Sequence, residues 1–300
     1  MSQTENPVVI TCALTGVLTD PAAHPVPVTA AEMAQAAHEA FDAGATVVHC
    51  HYRQQAPGMG RFPTWEEDVV AEIDSAIRAR VPDILVNMST GVIGMDVSAP
   101  IACLGRIRPE LAALNAGSLN YLKTRSDGRW AWPPLVFDNP VEKIEKMLAA
   151  MQAVGTVPEC ECFDTGIVRS IGLFQQVGLL KGPIHVSFVM GVASGMPCKP
   201  EWLPLLCAEL PKGSHFQTIG IGQREVWAVH RRAAELGGHL RTGLEDTFYL
   251  PNGDKTKSNG KLIEALVSVA KEVGRSIATP AQARALCDVL PGPHGSQKGV

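Results

Sequence analysis

The stretch AGATVVHCHYRQQAPG, residues 43–58, holds the repeating grammar of the whole chain. A helix-patterned segment over residues 30–43 stops at Gly44, the residue best suited to the left-handed turn that ends a helix. A β-branched run over residues 46–51 follows, and Pro57-Gly58 breaks it before a second helical pattern begins at Trp65. Side chains alternate between faces along a strand, so His49 and His51 point the same way.

The same alternation runs on to the C-terminal region. Strand patterns occur at 8–13, 46–51, 84–88, 111–115, 157–163, 184–189, 215–219 and 239–242, and helical patterns at 30–43, 65–78, 141–154, 166–177, 224–236 and 261–273. Thr29-Ala30-Ala31-Glu32 is a capping box, and Thr64 precedes an acidic first turn, Glu66-Glu67-Asp68. Gly155, Gly178, Gly237 and Gly274 sit where helices should stop. Eight strands separated by helices predict a (β/α)₈ TIM barrel, one α/β domain over residues 1–300. A doubly wound open sheet is the alternative topology. The last helix and ATPAQARALCDV exceed eight β/α units, which predicts a C-terminal helical extension on the barrel's base or on a neighbouring subunit. RWAWPPLVFDNP reads as an ordered excursion after the fourth strand, and residues 1–6 and 291–300 as flexible ends.

Composition narrows the function classes. At 46% apolar and 19% charged, the 300 residues can bury a large core. A net charge of −4 without a basic block argues against nucleic acid as a partner. No apolar run is long enough to span a membrane, and the N-terminus lacks secretory-signal features, so a cytoplasmic location is expected. The eight cysteines then read as free thiols, and Cys160 and Cys162 as small core residues.

Catalytic groups in such barrels gather at the C-terminal ends of strands. There lie His49 and His51, NMSTGVIG, LNAGSLNY, ECECFDTG, FVMGVASGMP, GIGQRE and RTGLED. Two buried imidazoles on one face cost desolvation unless both lone pairs find a partner, which a divalent metal provides. The last strand adjoins the first in a closed barrel, so Glu245 can serve as third ligand; Glu161 lies across the barrel. Arg241 can pair with Asp246 and clamp a substrate carboxylate. Ser89, Thr90, Gly91, Ser118 and Asn120 offer hydroxyl, amide and backbone N–H groups. GIG at 220–222 is no dinucleotide fingerprint, since G-x-x-G does not follow.

With ITCALTG, AGATVVHCHYR, STG, LNAGSLNY, VPECECFDTG, FVMGVASGMP, GGHLRTGLEDTFYLPNGDKTKSN and ATPAQARALCDV in order, the chain resembles the β-keto acid cleavage enzymes nearly end to end. The resemblance implies a TIM barrel, usually tetrameric, with Zn²⁺ bound by His49, His51 and Glu245 and an Arg241–Asp246 dyad. It implies substrate contacts at Ser89 and Glu161; Thr90, Gly91, Asn115 and Ser118, on the same rim segments, are candidate substrate-binding residues read from the sequence itself. The implied reaction converts a β-keto acid and acetyl-CoA to acetoacetate and a new acyl-CoA, through a zinc-stabilised enolate and a retro-Claisen step.

Two departures bear on specificity. Where the amino-substrate member of the family has a glutamate and a hydroxyl residue, this chain has Leu18 and Ala113. A buried ammonium would lose its partner, so the expected substrate tail is not cationic. After GIG the family commonly has Arg; here Gln223 precedes Arg224, which opens a predicted helix and is expected in solvent. The rival readings are a metal-dependent C–C lyase or aldolase needing no acetyl-CoA, a zinc hydrolase, and a non-enzymatic binding protein. His185 and His239 begin their strands and so lie at the wrong rim for a hydrolase's additional histidines. The intact His49, His51, Glu245, Arg241 and Asp246 set disfavours lost catalysis.

Overall fold

The computed structural model of the protein describes residues 6–290. Its barrel strands are β1 (Ile10–Ala13), β2 (Val47–Cys50), β3 (Leu85–Met88), β4 (Leu111–Asn115), β7 (Val157–Cys162), β8 (His185–Met190), β9 (His215–Gly220) and β10 (His239–Thr242). All eight predicted strands are therefore present. They are parallel and close in the order β1-β10-β9-β8-β7-β4-β3-β2. Closure comes from β10 against β1, with Ile10 opposite Leu240 and Cys12 opposite Thr242, which rules out the open sheet.

Alternation along each strand separates two cores. Val47 and Leu85 pack inside the base of the barrel. Their neighbours Val48 and Val86 pack into the larger core shared with the helices. In β7 the same rule makes sense of Glu-Cys-Glu-Cys, because Cys160 and Cys162 are fully buried members of that larger core and are free thiols. Glu159 and Glu161 take the opposite, inward face.

The helices are α1 (Ala30–Asp42), α2 (Glu67–Arg80), α3 (Ser98–Ile107), α4 (Val141–Val154), α5 (Thr165–Gln176), α6 (Leu203–Glu209), α7 (Val226–Glu235), α8 (Asn259–Glu272) and α9 (Pro280–Leu286). The Thr29 capping box forms in full at the start of α1. Thr64 does not cap α2: its hydroxyl accepts from Glu66 N, and the helix begins only at Glu67. The helical patterns omitted α3 and α6. Pro100 and Pro204 sit within their first turns, where the missing N–H is harmless but the sequence reads as a break.

The excursion after β4 is ordered as an antiparallel hairpin, β5 (Leu119–Tyr121) with β6 (Leu135–Phe137). Tyr121 stacks on Trp132 with ring centroids 5.8 Å apart, and Phe137 meets Phe163 edge-on. At the opposite end, α9 settles on the barrel's own base. Ala283 and Cys287 pack against Val9, Val47, Leu85 and Leu111, while Arg284 donates to Glu110 and His185 meets Asp288. Of the two places expected for the extension, α9 takes the first; the last predicted helix, 261–273, is no extension but α8, the barrel's own eighth helix, which packs against α1 and α7. Asn6, expected to be loose, accepts from Arg275 through both its backbone and side-chain oxygens. The other residues of the expected flexible ends, 1–5 and 291–300, lie outside the described residues.

Candidate metal and catalytic site

At the C-terminal rim the fold brings together residues far apart in sequence. β1 lies between β2 and β10, so the end of β2 and the turn after β10 face each other across one strand. His49 Nε2 is 3.8 Å from Glu245 Oε2, and His51 Nε2 is 3.4 Å from Glu245 Oε1. The two imidazoles stand nearly perpendicular, with centroids 5.2 Å apart. One donor atom from each of His49, His51 and Glu245 can be chosen so that all lie within 4.8 Å of one another, the one such group among the described residues.

The turn carrying Glu245 is held closely. Glu245 N donates to Ala13 O. Asn259, buried at the start of α8, accepts from Leu244 N and donates to Leu14 O. Gly16 has φ +56°, and a Cβ there would meet Glu245 Cγ at 2.7 Å. Gly16→Ala is therefore expected to destabilise the fold by about 1 kcal/mol or more and to displace Glu245. Chemical unfolding, with chelator competition for the metal, should show both losses together.

These residues fit a divalent ion. Glu245 Oε2 is buried without a hydrogen-bond partner, an arrangement that a cation would relieve. Burial, then the Arg241 charge, hold His49 well below its ordinary pKa, so its imidazole is neutral and has a lone pair to give. Although burial raises it, the Glu245 carboxyl lies well below the carboxylate range, drawn down by His51 and Arg241. Two imidazoles and one carboxylate form a donor set suited to zinc. His49 is 1% exposed, against 17% for His51 and 16% for Glu245, so the group is closed on one side and open at the rim.

Arg241 is buried and faces three carboxylates. It donates to both oxygens of Asp246 at 3.2 and 3.1 Å, to Glu245 at 2.8 Å and to Glu161 at 3.4 Å. Burial disfavours its charge, but Asp246, Glu245 and Glu161 more than compensate. Burial pushes Asp246 up to about 6 and Glu161 up to about 8, in both cases against the pull of Arg241. Glu161, which the sequence placed across the barrel, thus joins the cluster as a carboxyl able to carry a proton near neutrality.

The remaining candidates divide. Ser89 and Asn115 are buried at the ends of β3 and β4, and Thr90 donates to Ala113 O. Gly91 lies against the Asn115 amide, since a Cβ there would meet Asn115 Nδ2 at 3.4 Å. Ser118 is exposed and accepts from Asn139 N, which pins the hairpin. Asn120 is exposed on β5. Ala113 is buried, whereas Leu18 is 77% exposed on the rim. Arg224 is exposed, as expected, and lies beside Gly253. His185 and His239 open their strands at the base.

Three residues that brace this group were not singled out in the sequence. Asn87 reaches His49, Glu159 reaches Asn87, and Arg53 ties the first two rim loops together through Thr15, Gly16 O and Gly60 O. Period two after His49 and His51 points to Arg53, and the Glu-Cys-Glu-Cys alternation points to Glu159.

The family model for beta-keto acid cleavage enzyme matches residues 7–289. The chain belongs to the β-keto acid cleavage enzyme family. It is 34% identical over 287 residues to a protein of Cupriavidus necator named 3-oxoadipate:acetyl-CoA acetyltransferase, covering 93% of this chain and 94% of that one. It is 32% identical over 278 residues to a 3-keto-5-aminohexanoate cleavage enzyme of Fusobacterium nucleatum subsp. nucleatum, covering 92% and 96%. Among solved structures, apo ObcA superposes with a TM-score of 0.68 at 21% identity, over 88% of this chain and 66% of ObcA, a likeness of fold. This member of the β-keto acid cleavage enzyme family is therefore a TIM-barrel enzyme. Among the described residues no helix is long and apolar enough to cross a membrane.

Proposed function

We propose that this enzyme transfers acyl groups between a β-keto acid and acetyl-CoA, giving acetoacetate and a new acyl-CoA. One observation supports it above the rest: a His49–His51–Glu245 donor group with an unpartnered buried oxygen stands directly against the Arg241–Asp246 pair. A zinc ion there would supply Lewis-acid polarisation of the ketone and stabilise negative charge on the carbon between ketone and carboxylate.

The protein's own groups handle protons and position. The dyad takes a proton from that carbon, with Asp246 as the final base and Arg241 as the mediator that faces the substrate. The freed electron pair forms a bond to the acetyl carbon of acetyl-CoA, and the thioester C–S bond breaks to release CoA thiolate. The thiolate then bonds to the original ketone carbon. The bond from that carbon to its neighbour breaks, its electron pair stays on the acetoacetate carbon, and the dyad returns the proton there. Ser89, Thr90, Gly91, Asn115 and Ser118 are assigned to the substrate-facing rim, and Glu161 to hydrogen bonding with a substrate oxygen.

The relatives' names include one substrate with an additional carboxylate and one with an amino group, so membership leaves the tail open. Within this reading Leu18 and Ala113 offer no charge to an ammonium, and the tail is apolar or weakly polar. A panel of β-keto acids with acetyl-CoA, following acetoacetate and the new thioester, tests the reaction. Turnover without acetyl-CoA would instead reveal a C–C lyase. Leu18→Glu is expected to raise kcat/KM for an amine-bearing tail about threefold, on the scale of one solvent-exposed ion pair. An unchanged ratio would remove Leu18 from the pocket. A cytoplasmic homotetramer completes the proposal. Exposed Met59, Phe62, Ile93 and Trp130 on the rim loops offer it apolar surface, and the mass in solution checks the assembly.

A further inference from the structure

β3 and β7 place a buried carboxyl one residue away from a candidate metal ligand. Asn87 is fully buried and sits opposite His49 in the β2–β3 register. Its Nδ2 donates to Glu159 Oε2 at 2.7 Å, and its Oδ1 lies 3.4 Å from His49 Nδ1. Among the described residues no ion pair reaches Glu159. Burial raises its pKa, opposed by Arg241 and then by the dipoles of Ser187, Gln217 and Asn87.

With Glu159 ionised, the polarity of this chain of contacts admits one arrangement. A carboxylate only accepts hydrogen bonds, so Asn87 must turn its NH₂ toward Glu159 and its carbonyl toward His49. The carbonyl also only accepts, so His49 Nδ1 must carry the hydrogen. The lone pair then resides on Nε2, the nitrogen that faces Glu245. We propose that Glu159 is a positioning residue which, through Asn87, locks His49 in the tautomer whose Nε2 can bind a divalent cation. The proposal rests on the metal reading above. Its physical need is clear: a neutral imidazole has two tautomers, and the other one would point an N–H at the ion.

Ring ¹⁵N spectra of the metal-free enzyme, labelled in histidine and assigned with His49→Gln, read the tautomer directly. Wild type should show His49 protonated at Nδ1. Glu159→Met removes the obligate acceptor and frees Asn87 to turn, so the ring should populate both tautomers. Zn²⁺ affinity, measured by chelator competition, should then fall about tenfold to a hundredfold. The double variant Glu159→Gln with Asn87→Asp moves the charge to position 87, where a carboxylate accepts from both sides. It should restore the Nδ1–H tautomer and bring affinity back to within about threefold of wild type, a rescue that mere core filling does not predict.

His49 protonated at Nε2 in wild type would overturn the proposal. So would Glu159→Met with an unchanged ring and affinity within twofold, or a double variant no tighter than Glu159→Met. Wild type that shows Nδ1–H but binds no Zn²⁺ would overturn the metal reading and, with it, the purpose assigned to this tautomer.

Discussion

His49→Ala should lose metal and activity together. Bound zinc should fall from about one ion per chain to a small fraction. Turnover of the best β-keto acid should drop by about 10³ or more, since several kcal/mol of charge stabilisation go with the ion. The reasoning is geometric. His49 is the least exposed of the three candidate ligands, and among the described residues no fourth His, Cys, Asp or Glu is grouped with them. Removal of His49 also strips Glu245 Oε2, buried without a hydrogen-bond partner, of the imidazole that lies 3.8 Å from it. The substitution empties core volume, so the unfolding midpoint must be followed alongside metal content. Retained zinc and near-normal turnover in a folded variant would remove His49 from the site.

Asp246→Asn should keep the metal yet lower turnover by roughly 10² or more, the scale of a lost general base. The side chain is fully buried, and both its oxygens accept from Arg241. Asparagine retains the shape but turns an NH₂ toward a guanidinium and removes the final resting place of the substrate proton. Exchange of the substrate's α-hydrogen with D₂O isolates this step from C–C cleavage, and it should slow in parallel with turnover. If exchange and turnover change less than about threefold while zinc is retained, another carboxylate is the base. Glu161, pushed up to about 8 and in contact with Arg241, would then be the residue to test.

Much of this was legible in the sequence because it follows from period and punctuation. Every barrel strand carries its own alternation, and Gly44, Gly155, Gly178, Gly237 and Gly274 all adopt the positive φ that helix ends favour. The meeting of His49, His51 and Glu245 was legible for the same reason: two histidines in register on one strand need a common partner, and barrel closure limits who can supply it. What the sequence hid depends on contacts across elements. Pro100 and Pro204 masked two helices. The residence of α9 on the base was open until its contacts with Val9 and Leu111 were seen. Asn87 and Glu159 carry inward-facing positions in their own strands, but only the pairing of β2 with β3 sets Asn87 beside His49, and only that of β3 with β4 and β4 with β7 brings Glu159 within reach of Asn87. Leu18 shows the converse limit. Its position in a motif suggested a pocket, while the fold leaves it 77% exposed on a rim loop.

The direct test of the central claim is anomalous diffraction at the zinc edge from crystals of the enzyme purified without chelator. The account predicts one peak per chain about 2.0–2.2 Å from His49 Nε2, His51 Nε2 and a Glu245 oxygen. Zinc-edge data with no peak within bonding distance of those three groups, from enzyme that turns over β-keto acid and acetyl-CoA, would contradict it.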